Sequence, residues 1–197
     1  MIDLQNDYCP GGALAVNDGD AVVPVVNRLQ ERFSVKVLTL DWHPHEHASL
    51  VHNHEDVEPF TVIQAPHGDQ VIWPGHCIQG TPGAEFHPDL DVDGADLILR
   101  KGFRPHIDSY SAFFENDRTT ATGLAGYLRE RGVKRIYATG LATDFCVYYS
   151  AIDAIRQGFE AVLVPDACRA IDLDGSLDAA MADMKAQGVI FMNSSGI

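Results

Sequence analysis

Short apolar runs alternate with amphipathic stretches through most of the chain, and the two periods read directly as strands and helices. Val35–Leu40, Asp96–Arg100, Lys134–Thr139, Glu160–Val164 and Val189–Met192 are brief and apolar enough to be strands buried in a sheet. Val22, Val25, Val26 and Leu29 share one side of a predicted helix from Asp20 to Phe33, with Pro24 in its first turn. A second helix is predicted from a Thr119 or Thr120 cap to Arg131, with Gly132 as its left-handed stop. A third runs from Asp144 to Gln157 before Gly158, and a fourth covers Ser176–Gln187. Met1–Gln5 reads as a strand cut off at its start, because a central parallel strand runs about five or six residues. Native residues are therefore expected ahead of Met1.

Strands alternating with helices imply an α/β fold, with a mostly parallel sheet covered on both faces, formed by residues 1–197 as one domain. Residues 42–95 break the pattern: they are rich in Pro, His, Gly and Asp, without strong periodicity. A segment of that length without regular elements is usually functional. In parallel sheets ligands bind beyond the C-terminal ends of the strands. Asp3, Asp41, Lys101 and Cys146 each follow a different predicted strand, so the fold sets all four along one edge of the sheet.

The stretch Tyr137–Val147 (YATGLATDFCV) ends a strand, is predicted to turn at Gly140, and enters a helix capped by Thr143 or Asp144. That puts Cys146 in the first helical turn, where free N–H groups and the helix dipole favour a thiolate. Donors from the preceding turn can face the same point as an oxyanion hole. A carboxylate beside a thiol can take its proton, and a lysine between them holds the carboxylate and offsets its charge. Asp3, Lys101 and Cys146 supply that trio.

Net charge −14 argues against nucleic acid or an anionic membrane surface as partner. No apolar run approaches the roughly 18 residues of a membrane span. Four cysteines lie far apart with no secretory signal, which points to free thiols in a reducing cytoplasm. The sequence does not fix the state of assembly, and a homo-oligomer is compatible with it. The nine histidines carry more: six fall between His43 and His67, with His76 just beyond. Asp41 and His43, two residues apart at a strand end, can face one ion, and His76 from a separate loop completes three ligands with positions left for water. His47 is either a fourth ligand or a partner of the ligands. His45, His52, His54 and His67 read as solvated loop residues, and Cys77 as a packed thiol.

The segments Asp3-Leu4-Gln5-Asn6-Asp7-Tyr8, Asp41-Trp42-His43-Pro44, Trp73-Pro74-Gly75-His76-Cys77, Arg100-Lys101-Gly102 and Gly140–Val147 together resemble the motifs of nicotinamidases. These enzymes, also called pyrazinamidases, lie within the isochorismatase-like cysteine hydrolases. The resemblance covers nearly the whole chain in order. It implies a three-layer α/β/α fold and hydrolysis of nicotinamide to nicotinate and ammonia, a step in NAD salvage. It also implies Cys146 as nucleophile, Asp3 as base, and Lys101 as the third member. Asp41, His43 and His76 take the place of the metal ligands. The metal implied is one divalent ion, Zn²⁺ before Fe²⁺ or Mn²⁺, which also takes the pyridine nitrogen. Backbone N–H groups of Ala142 and Cys146 match the oxyanion hole, with a cis peptide expected before Thr143. Tyr8, Trp73 and Tyr110 fall where the family packs aromatic rings around its substrate, although many members carry Phe where this chain has Tyr8.

Three other readings compete. A metal-free relative, an isochorismatase or a carbamoyl-amide hydrolase, would need no Asp41–His43–His76 cluster. A zinc hydrolase would leave Cys146 structural. A binding protein would hold a small aromatic ligand without turnover.

Overall fold

The computed structural model describes residues 1–197. Its strands are β1 (Val37–Asp41), β2 (Val62–Ala65), β3 (Gly68–Val71), β4 (Leu97–Lys101), β5 (Arg135–Leu141), β6 (Glu160–Arg169) and β7 (Ile190–Phe191). The helices are α1 (Val23–Gln30), α2 (Leu124–Glu130), α3 (Tyr148–Arg156) and α4 (Ser176–Ala186). β4 pairs with β1, β5 with β6, and β6 with β7, each of these pairs parallel. Met1 and Ile2 join the two halves. The Met1 ammonium donates to Val37 O and Thr39 N to Met1 O on one side, while Ile2 N donates to Thr139 O and Leu141 N to Ile2 O on the other. The order is thus β4, β1, Met1–Ile2, β5, β6, β7.

Alternation along each buried strand sends side chains to two cores, one per face. Leu38, Leu141 and Val164 pack with Val22, Val26 and Leu29 of the first helical region. Ala138, Ala161 and Leu163 pack with Leu124 and Leu128 of α2, Ala151 and Ile152 of α3, and Met184 of α4. Each of the larger side chains contributes on the order of 1.5–3 kcal/mol by leaving water. The result is the three-layer α/β/α arrangement.

Several expectations need correction. The first helix splits into a 3₁₀ turn over Gly19–Val22 and α1. α2 begins only at Leu124, after Gly123 in the left-handed region, because Asp117 takes the N–H groups of both Thr119 and Thr120. The loop after β1 holds an antiparallel hairpin, β2–β3, whose strands are too short and too exposed to leave a clear period. Gly140 lies inside β5 rather than at a turn. Its φ is +114°, and a Cβ there would sit 2.0 Å from Ile2 O, so glycine lets the Met1–Ile2 strand approach. The chain turns at Leu141–Ala142, which is also where the cis peptide lies, one bond earlier than expected.

Candidate active site

In-register pairing ends β1 and β4 together, Asp41 opposite Lys101. Asp3 arrives at the same level from the central strand, and Cys146 follows β5. Lys101 is the hub of this group and is 1% exposed. Its Nζ lies 2.8 Å from Asp3 Oδ2 and 2.6 Å from Asp41 Oδ1. It also donates to Ser109 O at 2.9 Å and lies 3.4 Å from Cys146 Sγ. Burial alone would pull its pKa down, but the carboxylates of Asp3 and Asp41 hold it well above the usual lysine value.

The two carboxylates sharing that cation sit in different surroundings. Asp3 Oδ1 accepts from Thr39 Oγ1 at 2.6 Å, whereas Oδ2 is buried, has no aligned hydrogen-bond donor and meets Lys101 only as an ion pair. Burial raises Asp3 to about 6 against the pull of Lys101. Asp41 takes Lys101 on Oδ1 and the Tyr8 hydroxyl on Oδ2. Burial pushes Asp41 up as well, but Lys101, His43 and His76 outweigh it and hold the group below the usual range. Neighbouring carboxyls driven apart in this way divide into a proton acceptor and a permanent anion.

The sulfur of Cys146 and one oxygen from each of Asp3 and Asp41 lie within 4.8 Å of one another. Burial pushes the thiol well above its ordinary value, and Lys101 only partly opposes this. The expectation of a dipole-favoured thiolate is therefore corrected: the resting group is a thiol and needs a base. The segment carrying it also differs from the predicted helix start. Thr143–Val147 is a wide π turn that leads into α3, and no side chain caps it. Asp144 instead accepts from Ile171 N, Asp172 N and Ser176 Oγ, fastening the turn to the loop before α4. The Ala142 N–H makes no hydrogen bond within the protein.

Beside the thiol, donor atoms of Asp41, His43 and His76 also lie within 4.8 Å of one another. His43 donates through Nδ1 to Gly102 O at 2.9 Å and His76 through Nδ1 to Pro74 O at 2.8 Å, leaving both Nε2 atoms as the free donors. Burial lowers both imidazoles, His76 to about 4, so both are neutral. A carboxylate with two neutral imidazoles fits a divalent transition metal. Gly102, at φ +63°, makes room for this: a Cβ there would sit 2.6 Å from His43 Cε1. His47 does not join the trio. It groups with His43 and Asp108, and its ring nitrogens meet Ser49 Oγ and Ile107 O.

Tyr8, Trp73 and Tyr110 line the same cavity, about 10 Å³ in volume, with Phe145, Ala142 and Cys146. Trp73 donates through Nε1 to the Tyr110 hydroxyl at 3.1 Å, and its ring lies 4.9 Å from Phe145. A larger cleft, of about 270 Å³, lies elsewhere, lined by residues 35–37 and 133–139 near the N-terminal ends of β1 and β5. Sequence reasoning missed Thr39, Gln5, Phe145 and Asp108. Gln5, which grips both N and O of Asp41 at 2.8 Å, and Phe145, next to Cys146, were within reach because both lie inside the motifs.

The isochorismatase domain family matches residues 1–195. The chain belongs to the isochorismatase family. Its relatives there place it in the nicotinamidase branch. It is 52% identical to a nicotinamidase of Acinetobacter baylyi over all of this chain and 92% of the relative. Among solved structures it resembles a nicotinamidase/pyrazinamidase of Acinetobacter baumanii, with TM-score 0.97 and 54% identity over 98% of this chain and 94% of that one. It also resembles a pyrazinamidase of Pyrococcus horikoshii solved in complex with zinc, with TM-score 0.78 and 36% identity over 98% and 96%. The family's α/β/α frame accounts for four strand ends meeting at one site.

Proposed function

We propose that this isochorismatase-family chain hydrolyses nicotinamide to nicotinate and ammonia, and pyrazinamide to pyrazinoate, through a thioester on Cys146, as a step of NAD salvage. The observation that carries the reading is the buried thiol 3.4 Å from Lys101, beside a carboxyl whose inner oxygen has no hydrogen-bond donor. Its relatives' names add the substrate.

Asp3 Oδ2 takes the Cys146 proton, and the sulfur forms a bond to the amide carbon. The negative oxygen that results faces the Ala142 and Cys146 N–H groups. Lys101 keeps its charge throughout, offsetting first the Asp3 carboxylate and then the thiolate. Asp3 returns the proton to the leaving nitrogen, the C–N bond breaks and ammonia departs, leaving the acyl group on sulfur. Asp3 then takes a proton from water as the water oxygen attacks the thioester, and the sulfur leaves with its proton restored. Asp41, His43 and His76 would hold a divalent ion, Zn²⁺ as in the Pyrococcus relative or else Fe²⁺ or Mn²⁺, which supplies a Lewis-acid anchor for a ring nitrogen and for water. Tyr8, Trp73 and Tyr110 flank the ring. Four free cysteines suit a reducing compartment, the cytoplasm.

Ring recognition separates this reading from a general amidase. Nicotinamide and pyrazinamide offer a ring nitrogen meta to the carboxamide, and benzamide does not. A substrate that leaves the polar groups of such a site unpaired forfeits several kcal/mol, so kcat/KM for benzamide should fall by about 10³-fold or more. Ammonia release from the three amides measures this, and benzamide turnover within tenfold of nicotinamide contradicts the anchored ring.

A further inference from the structure

The hairpin β2–β3 lies on the surface with one side chain turned inward. Every position of its two strands is exposed or half-buried except Gln70, which is 3% exposed. Burying an amide is costly unless its hydrogen bonds are made, and an apolar side chain would close a surface hairpin at less cost. The amide of Gln70 makes its bonds toward the pocket wall. Nε2 donates to Val71 O at 2.8 Å and to the Tyr110 hydroxyl at 3.0 Å, with Asp108 Oδ2 at 3.3 Å. Oε1 accepts from Asn116 Nδ2 at 3.3 Å, and Asn116 Oδ1 accepts in turn from Tyr110 N at 3.0 Å. One ring of hydrogen bonds therefore holds Tyr110 at both ends, its hydroxyl by Gln70 and its backbone by Asn116. Trp73 Nε1 donates to the same hydroxyl, so indole and amide together occupy the oxygen's acceptor positions and fix where it sits. The rings of Tyr110 and Trp73 stand edge-on to Phe145, at 5.6 and 4.9 Å, one residue from Cys146. Gln70 itself does not line the cavity.

We propose that Gln70 is a positioning residue for the substrate ring: acting through Tyr110, it fixes the aromatic wall of the pocket and makes the surface hairpin part of ring binding. The inference rests on the reading of this cavity as the nicotinamide site. A fully satisfied buried network specifies one arrangement of the groups it joins, and this one joins the hairpin after β1 to the loop after β4 across the Tyr110 hydroxyl. Gln70 touches no reacting atom, so its contribution belongs to binding rather than to the chemical step.

Gln70→Met keeps the volume and removes the amide. The KM for nicotinamide, from initial ammonia release, should rise about tenfold with kcat within about twofold, because the wall holds substrate and transition state alike. Tyr110→Phe should do the same, and the double variant should be no worse than Tyr110→Phe alone, since residues acting as one unit are not additive. Gln70→Asn, whose amide ends one methylene short of the hydroxyl, should follow Gln70→Met. The Nε1–H signal of Trp73 in an NMR spectrum should move in both Gln70 variants, with or without turnover. A wild-type KM in the Gln70 variants overturns the proposal whatever happens to Tm, because Gln70 would then be structural only. So does an unmoved indole signal, or KM increases that multiply in the double variant. A wild-type chain that releases no ammonia contradicts the proposed function instead, and the indole signal then decides whether Gln70 places Tyr110.

Discussion

At the scale of single residues, Lys101 is the test of how charge is arranged in the site. It is buried between two carboxylates and a thiol, so Lys101→Met leaves Asp3 and Asp41 facing each other without a cation. Breaking a buried pair by removing one partner costs about 3–5 kcal/mol. The urea midpoint should fall accordingly, and amidase activity should drop with it; an unchanged midpoint would show that the three charges are not coupled. Residue types at this scale were legible in the sequence, but residue directions were not. Tyr8 lines the cavity beside Cys146, yet its hydroxyl turns to Asp41, which no spacing rule reveals. Asp144 has the composition of a helix cap, and the local pattern cannot register that a loop from beyond β6 arrives to claim its carboxylate.

At the scale of elements, the long segment after β1 is where sequence periodicity says least and hydrogen bonding says most. Its histidines look alike in sequence, but only some have a ring nitrogen fixed on backbone and the other left free among acidic partners. His76→Ala should lower bound metal, measured by elemental analysis, to a small fraction of the wild-type content. His52→Ala should not, since His52 only bonds His45 O at the loop surface. Full metal content in His76→Ala contradicts the ligand assignment. The parallel strands and most helices were legible because two-sided burial and amphipathic faces write strong periods, whereas the exposed β2–β3 hairpin leaves none. The π turn was not, because one extra residue per turn over Thr143–Val147 leaves no mark on a helical pattern.

At the scale of the whole molecule, the reading rested on topology: parallel strands with helical crossovers bring their C-terminal ends to one side. That rule alone placed Asp3, Asp41, Lys101 and Cys146 together, from positions up to 143 residues apart in the chain by their numbering. What topology could not supply is the difference in setting between Asp3 and Asp41, which lies in the Tyr8 and imidazole contacts around one and the bare oxygen of the other. The central claim, covalent hydrolysis of nicotinamide by Cys146, is tested most directly by ammonia release from nicotinamide in the wild-type chain and in Cys146→Ala. Wild type should release ammonia stoichiometrically with nicotinate, and the folded, metal-loaded variant should be slower by about 10³-fold or more. Retention of more than about a tenth of the wild-type rate, a barrier change of only about 1.4 kcal/mol, would contradict it.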